Sequence, residues 1–301
     1  MTEIVFKALG YIAVIAISYA MKCKIGENGG VKKFFTRVLL WITLPSAVAC
    51  SFSSDINIAS YLWLVAAGFI LNVFMAAVGV LFSGKDAQNR SLNMINMSGY
   101  NIGAFAMPFV SGFLGAGATS YVCLFDAGSA IMCTGGIYAA ANLLNGKKTG
   151  IKGFLKNLFS SVPFDAYLFM LIFTLAGGRL PEFAKSFFTV AANANGFIAM
   201  FLVGQLLDFK PKKEFIKSAC LILAVRYGFS ALFSAAIMLF LPVERIIKEA
   251  LVMSLFAPIT AIAPVFTEKC GSKSDVSSFA GSCSFIISLA ILVVLALAFN
   301  A

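Results

Sequence analysis

Between Asn93 and Pro108, inside an apolar run long enough to cross a bilayer, the chain carries Asn93, Asn96, Ser98, Asn101, Gly99, Gly103 and a proline. Amides and hydroxyls at that depth do one of two things. They donate to an anionic ligand such as a carboxylate, or they cap backbone groups loosened by a helix break, a cap worth about 1 kcal/mol. Asn101, with Ser98, is the leading candidate for the first role, and both roles can coexist. A second interruption, Ala257-Pro258-Ile259-Thr260-Ala261-Ile262-Ala263-Pro264, lies in a later apolar run, with Thr260 as its polar side chain. Two isolated charges complete the set. Asp126 sits about eight residues, roughly 12 Å, into one apolar run, and Arg226 lies at a similar depth in another. Charges so deep are costly and face a cavity or each other. Arg226 would attract an anion and Asp126 would carry a coupling proton or sodium ion; the alternative is a structural Asp126–Arg226 pair. Asn72 and Gln205 are further polar candidates, and Asp165 reads as a helix-start residue.

These residues have to be positioned by broken helices. Pro108 lacks an N–H and clashes with the carbonyl of Ala104, and Gly99 and Gly103 weaken the helix just before it. Pro258 and Pro264, within seven residues, make a continuous helix equally unfavourable there. A break at membrane depth is tolerated only where protein or a watery cavity receives the free ends. Half-helix N-termini carry partial positive charge. The segments beginning near Phe105–Pro108 and Ala263–Pro264 are therefore where a substrate carboxylate is expected.

Composition sets the class. The chain of 301 residues is 60% hydrophobic and 12% charged, with a mean hydropathy of +0.92, which excludes a soluble domain. The net charge of +10 sits in short loops, so it reads as membrane orientation and not as nucleic-acid binding. No histidine is present, and none of the seven cysteines forms a Cys-x-x-Cys pair. No disulfide framework, metal site or cofactor is expected beyond a coupling ion. The N-terminal apolar run has Glu3, one Lys7 and no small-x-small cleavage pattern, so it is taken as a first span and not a signal peptide.

Ten segments reach spanning length of about 20 residues: 3–21, 34–53, 58–83, 91–114, 118–143, 162–178, 184–207, 215–241, 247–267 and 276–299. On the alternation they impose, seventeen lysines and arginines fall on one side and five on the other, with Arg226 inside a span. Positive residues favour the cytoplasm, so both termini are expected outside. The segment 146–161 puts Ile151, Phe154, Leu155, Leu158 and Phe159 on one helical face and Lys148, Lys152 and Lys156 on the other. This predicts an interfacial helix that also links two halves, 1–145 and 162–301. Five spans per half force opposite orientations, as in inverted-repeat transporters, and the interrupted segments are the fourth and the ninth.

Here the sequence resembles the auxin efflux carrier family, and is similar to its bacterial malate-permease-like members. The family's Asn-x-Gly-x-x-Gly-x-Pro pattern is matched by Asn101, Gly103 and Pro108, with Ala106 replacing the second glycine. The likeness continues at Leu44-Pro45, Pro163, Pro181, Phe201-Leu-Val-Gly204, Pro258 and Val265-Phe-Thr-Glu-Lys-Cys-Gly271. The long cytoplasmic loop of plant members is missing. The resemblance implies an all-α polytopic membrane protein of ten helices, with helices 4 and 9 crossing at their breaks near the midplane. It also implies alternating access for a small organic anion, and it leaves room for a homodimer.

The sequence thus leads to a non-enzymatic secondary active transporter of mono- or dicarboxylates, multi-pass in a bacterial inner membrane and coupled to a proton or sodium gradient. Its expected substrate contacts are Ser98, Asn101, Gly103, Pro108, Arg226, Pro258, Thr260 and Pro264, with Asp126 as the ion-coupling residue. A cation–proton exchanger of similar architecture is the nearest rival. A membrane-embedded enzyme or a non-transporting receptor is less well served by these residues.

Overall fold

The computed structural model describes residues 2–26, 29–52, 57–146, 151–209 and 213–299. Lys147, Lys148, Lys210 and Lys212 of the charge count, with the start of the 146–161 linker, lie outside the described residues. The described chain is all helix, 85% of it, with no strand. Among the described residues, seven helices are long and apolar enough to cross a membrane, the architecture of a multi-pass membrane protein. They are α1 (Thr2–Ile25), α2 (Gly29–Phe52), α3 (Ile58–Leu81), α6 (Gly117–Leu144), α9 (Glu182–Leu206), α10 (Lys213–Phe240) and α13 (Ser274–Phe299).

The other three expected spans are short or interrupted. Residues 91–114 form α4 (Ala87–Ser98) and α5 (Ile102–Phe113). Residues 247–267 form α11 (Arg245–Leu255) and α12 (Ala263–Lys269). After α6, α7 (Ile151–Leu158) is bent by 80° against α8 (Val162–Leu175). On α7 Leu158 is buried and Leu155 is exposed, as is Phe159 just beyond its end, so part of its apolar face is left uncovered. Asp165 stands in the first turn of α8, as a helix-start residue should.

Apolar burial drives little association between helices whose alternative neighbour is lipid; close backbone packing does more. The most extensive contacts are α3 against α4 and α6, and α1 against α9. Glycines make these approaches possible. A Cβ on Gly68 would strike the Phe125 carbonyl, and one on Gly128 would strike the Val65 carbonyl, so α3 and α6 touch through both glycines. Gly204 meets Ser18 and the Ile15 carbonyl in the same way. Buried polar side chains are satisfied within this packing. Asn72 donates to the Gly68 carbonyl and to Ser129 Oγ, both at 2.9 Å. Gln205 donates to the Ser18 carbonyl at 2.8 Å and to Ser18 Oγ at 3.0 Å.

Among the described residues, three π-turns interrupt the helices: Leu39–Thr43 in α2, Ile102–Ala106 opening α5, and Met132–Gly136 in α6. Such turns are rare and gather at functional sites. The second of them moves the first break. Pro108 leads to a break at its own position, but the chain comes apart at Gly99–Asn101, and α5 runs through Pro108 without interruption. The wider π-turn carries the strain that the proline ring would otherwise place on the preceding carbonyl. The half-helix therefore begins at Ile102 and not near Phe105–Pro108. The second break falls at its prolines: Pro258 lies in the unwound segment and Pro264 in the first turn of α12, where a missing N–H costs nothing.

Candidate functional site

The two breaks meet. Asn101 N donates to the Pro258 carbonyl at 2.9 Å, and Thr260 N donates to the Gly99 carbonyl at 3.1 Å. This forms an isolated antiparallel bridge between Tyr100 and Ile259. Each unwound segment thus satisfies the other's backbone, which no lipid can do.

A cavity of about 550 Å³ ends on this bridge. Asn101, Gly103, Asp126, Tyr100, Tyr167 and Thr260 line its inner part. Apolar walls come from Leu39, Leu44, Leu202, Val203 and Phe266, and Lys32, Lys269, Asn157 and Ser160 line it too. These last four belong to segments on the cation-rich side of the sequence count, and all four are exposed. The cavity therefore runs from the crossing to that face. All three π-turns contribute to its wall, through Leu39, Leu40 and Trp41, through Ile102, Gly103 and Ala104, and through Cys133 and Thr134.

The cavity brings together four of the nine sequence candidates: Asn101, Gly103, Asp126 and Thr260. Asn101 is half-buried and makes no side-chain capping bond, so its amide is available on the cavity wall. Asp126 is 7% exposed. Its Oδ2 accepts from Tyr167 Oη at 2.6 Å, and the carboxylate lies beside the backbone of Gly103. It is thus a carboxylate at the open end of α5, where unsatisfied N–H groups favour negative charge. Gly103 permits this, since a Cβ there would lie 2.6 Å from Asp126 Oδ2 and 2.7 Å from Tyr167 Oη.

Ser98, Pro108, Arg226, Pro258 and Pro264 are not among the described residues lining the cavity. Ser98 Oγ donates to the Met94 carbonyl of its own helix at 2.5 Å. Pro108 offers its carbonyl to Tyr11 Oη at 3.2 Å. Arg226 is fully buried, and its donors go to carbonyls: Nη1 to Met97 at 2.9 Å and Asn96 at 3.4 Å, Nη2 to Ala257 at 2.9 Å and Pro258 at 3.1 Å. Asp126 and Arg226 accordingly hold separate partners and not each other. A cation that deep takes the nearest negative charge, and the C-terminal ends of two half-helices supply it.

Sequence reasoning missed Tyr167, which the resemblance did not carry, and Tyr100, whose ring lies 3.7 Å from Cζ of Arg226. Neither bears a signal of its own in an apolar run. Pro163 in the first turn of α8, itself a cavity residue, was the one local clue near Tyr167. Among protein-family models and curated proteins, the chain finds no match.

Proposed function

We propose that the chain is a secondary active transporter of small organic anions, mono- or dicarboxylates, working by alternating access. In this reading it crosses the membrane ten times, as two inverted five-helix halves joined by the 146–161 linker. It has both termini outside and belongs with the auxin efflux carriers its sequence resembles. The observation that carries the reading is the pairing of two broken helices at the inner end of a cavity open at one face. A protein that only spanned or anchored would gain nothing from two breaks in its core.

The chemistry of the floor supports an anion with a coupled ion. Asn101 offers an uncommitted amide and Thr260 a hydroxyl, and Lys32 and Lys269 raise the local concentration of anions at the mouth. Asp126 opposes an anion while it is ionised. Two like charges about 4 Å apart repel by about 4 kcal/mol at an effective dielectric of about 20. A proton or sodium ion on Asp126 removes that repulsion, so ion and anion bind together. This linkage is what a coupled carrier needs.

Uptake of labelled malate and related carboxylates into proteoliposomes tests the proposal, with and without imposed proton or sodium gradients. Gradient-dependent uptake that is lost in Asn101→Ala is the expected result. Uptake of cations in exchange for protons, with no carboxylate uptake, would overturn it in favour of the exchanger.

A further inference from the structure

The substrate reading leaves Arg226 without a task, since its guanidinium is sealed from the cavity. Its surroundings define one. Helix α4, of 12 residues, ends at Ser98, and α11, of 11 residues, ends at Leu255. The carbonyls of Asn96 and Met97 in the last turn of α4 and of Ala257 and Pro258 just beyond α11 converge on one guanidinium. Each helix C-terminus carries roughly half a negative charge, so two together amount to about one, which a single guanidinium cancels. Ser230, one turn along α10 from Arg226, satisfies the Leu255 carbonyl at 2.7 Å. The Tyr100 ring covers the guanidinium face. The Nε–H finds no acceptor among the described residues. The cation is thus held by its terminal fork.

In broken-helix carriers, unwound carbonyls and half-helix C-terminal ends are where a coupling metal cation is coordinated. We propose that Arg226 is a built-in counter-ion occupying that position. Any ion the protein couples to is then taken at Asp126 and not at the crossing. The inference rests on the transporter reading for its meaning. Its test is read from stability and does not require transport.

The measurement is the melting temperature of the purified full chain in detergent, on an Asp126→Asn background that removes the other ion site. On that background sodium against choline makes no difference, because the crossing already holds its cation. Adding Arg226→Ala lowers the melting temperature by about 5–10 °C, and millimolar methylguanidinium or sodium recovers much of the loss. A sodium response that persists in Asp126→Asn with Arg226 intact would overturn the proposal. So would an Arg226→Ala protein that is as stable as its parent, or one that no cation rescues. Should Arg226→Ala fail to fold, Arg226→Lys must be more stable than Arg226→Gln, since lysine keeps the charge and glutamine only a donor; the reverse order would overturn it. Failure of carboxylate uptake in the wild type, with these shifts intact, would reject the transporter reading and leave the counter-ion standing.

Discussion

Tyr167 Oη donates to Asp126 Oδ2 at 2.6 Å, across 41 positions of sequence. Asp126 comes from α6, before the linker, and Tyr167 from α8, after it. The acid at the inner end of the cavity is therefore held by helices from either side of α7. Under the proposed alternating access, a movement of α6 against α8 would change the hydrogen bonding of this carboxylate, and with it the ease of loading an ion there.

Tyr167→Phe removes that donor and leaves the ring. A hydrogen bond to a charged group contributes about 1.5–3 kcal/mol, so gradient-driven carboxylate uptake is expected to fall by about tenfold or more. Initial rates in proteoliposomes, beside the melting temperature, read the effect. Unchanged uptake would remove Tyr167 from the coupling machinery.

Gly103→Ala places a methyl group 2.6 Å from Asp126 Oδ2 and 2.7 Å from Tyr167 Oη. Both neighbours are ends of side chains, so the fold accommodates the change while the pair is forced apart. Uptake is expected to be lost with little change in thermal stability. Wild-type uptake in this variant, or a melting temperature many degrees lower, would contradict this.

Gly68→Ala and Gly128→Ala have the opposite signature. Each meets backbone, the Phe125 and Val65 carbonyls respectively, which cannot turn aside. Overpacking costs about 1–3 kcal/mol, more than the roughly 1 kcal/mol gained by replacing glycine in a helix. Each variant should melt a few degrees lower than the wild type in detergent. Because both report the same α3–α6 contact, the double variant should lose less than the sum of the two.

Lys32→Gln and Lys269→Gln should raise KM for the anion several-fold at low ionic strength and leave kcat near its original value. The effect should vanish near 1 M salt, where the screening length is about 3 Å. A KM shift insensitive to salt would mean direct contact with the substrate and not attraction from the mouth.

The breaks were legible because proline and asparagine disfavour an unbroken helix in hydrocarbon and so stand out in an apolar run. Pro258 and Pro264 mark theirs correctly. Pro108 does not, because the π-turn at Ile102–Ala106 displaces the break to Gly99–Asn101, and a π-turn leaves no residue pattern to read. The charges show the same division. Periodicity gives the depth of Arg226 and Asp126 but not what lies beside them, and backbone carbonyls, the partners Arg226 took, look alike in every sequence. The spans follow from hydropathy where helices run unbroken; α8, at 14 residues, and the two interrupted pairs fall short of the length that hydropathy assumes. Tyr167 was invisible because its significance is a contact with Asp126, 41 positions away, and tertiary contacts have no local signature.

The π-turn at Leu39–Thr43 in the cavity wall, with regular helix on both sides, can also be read as an α-helix into which one residue has been inserted. Removing a single residue from 39–43 should therefore return an ordinary helix whose ends pack as before. At this place, unlike elsewhere in a spanning helix, a one-residue deletion spares the scaffold and alters only the shape of the chamber. Insertions and deletions there, and not substitutions alone, are thus an economical route by which this architecture can change what it carries.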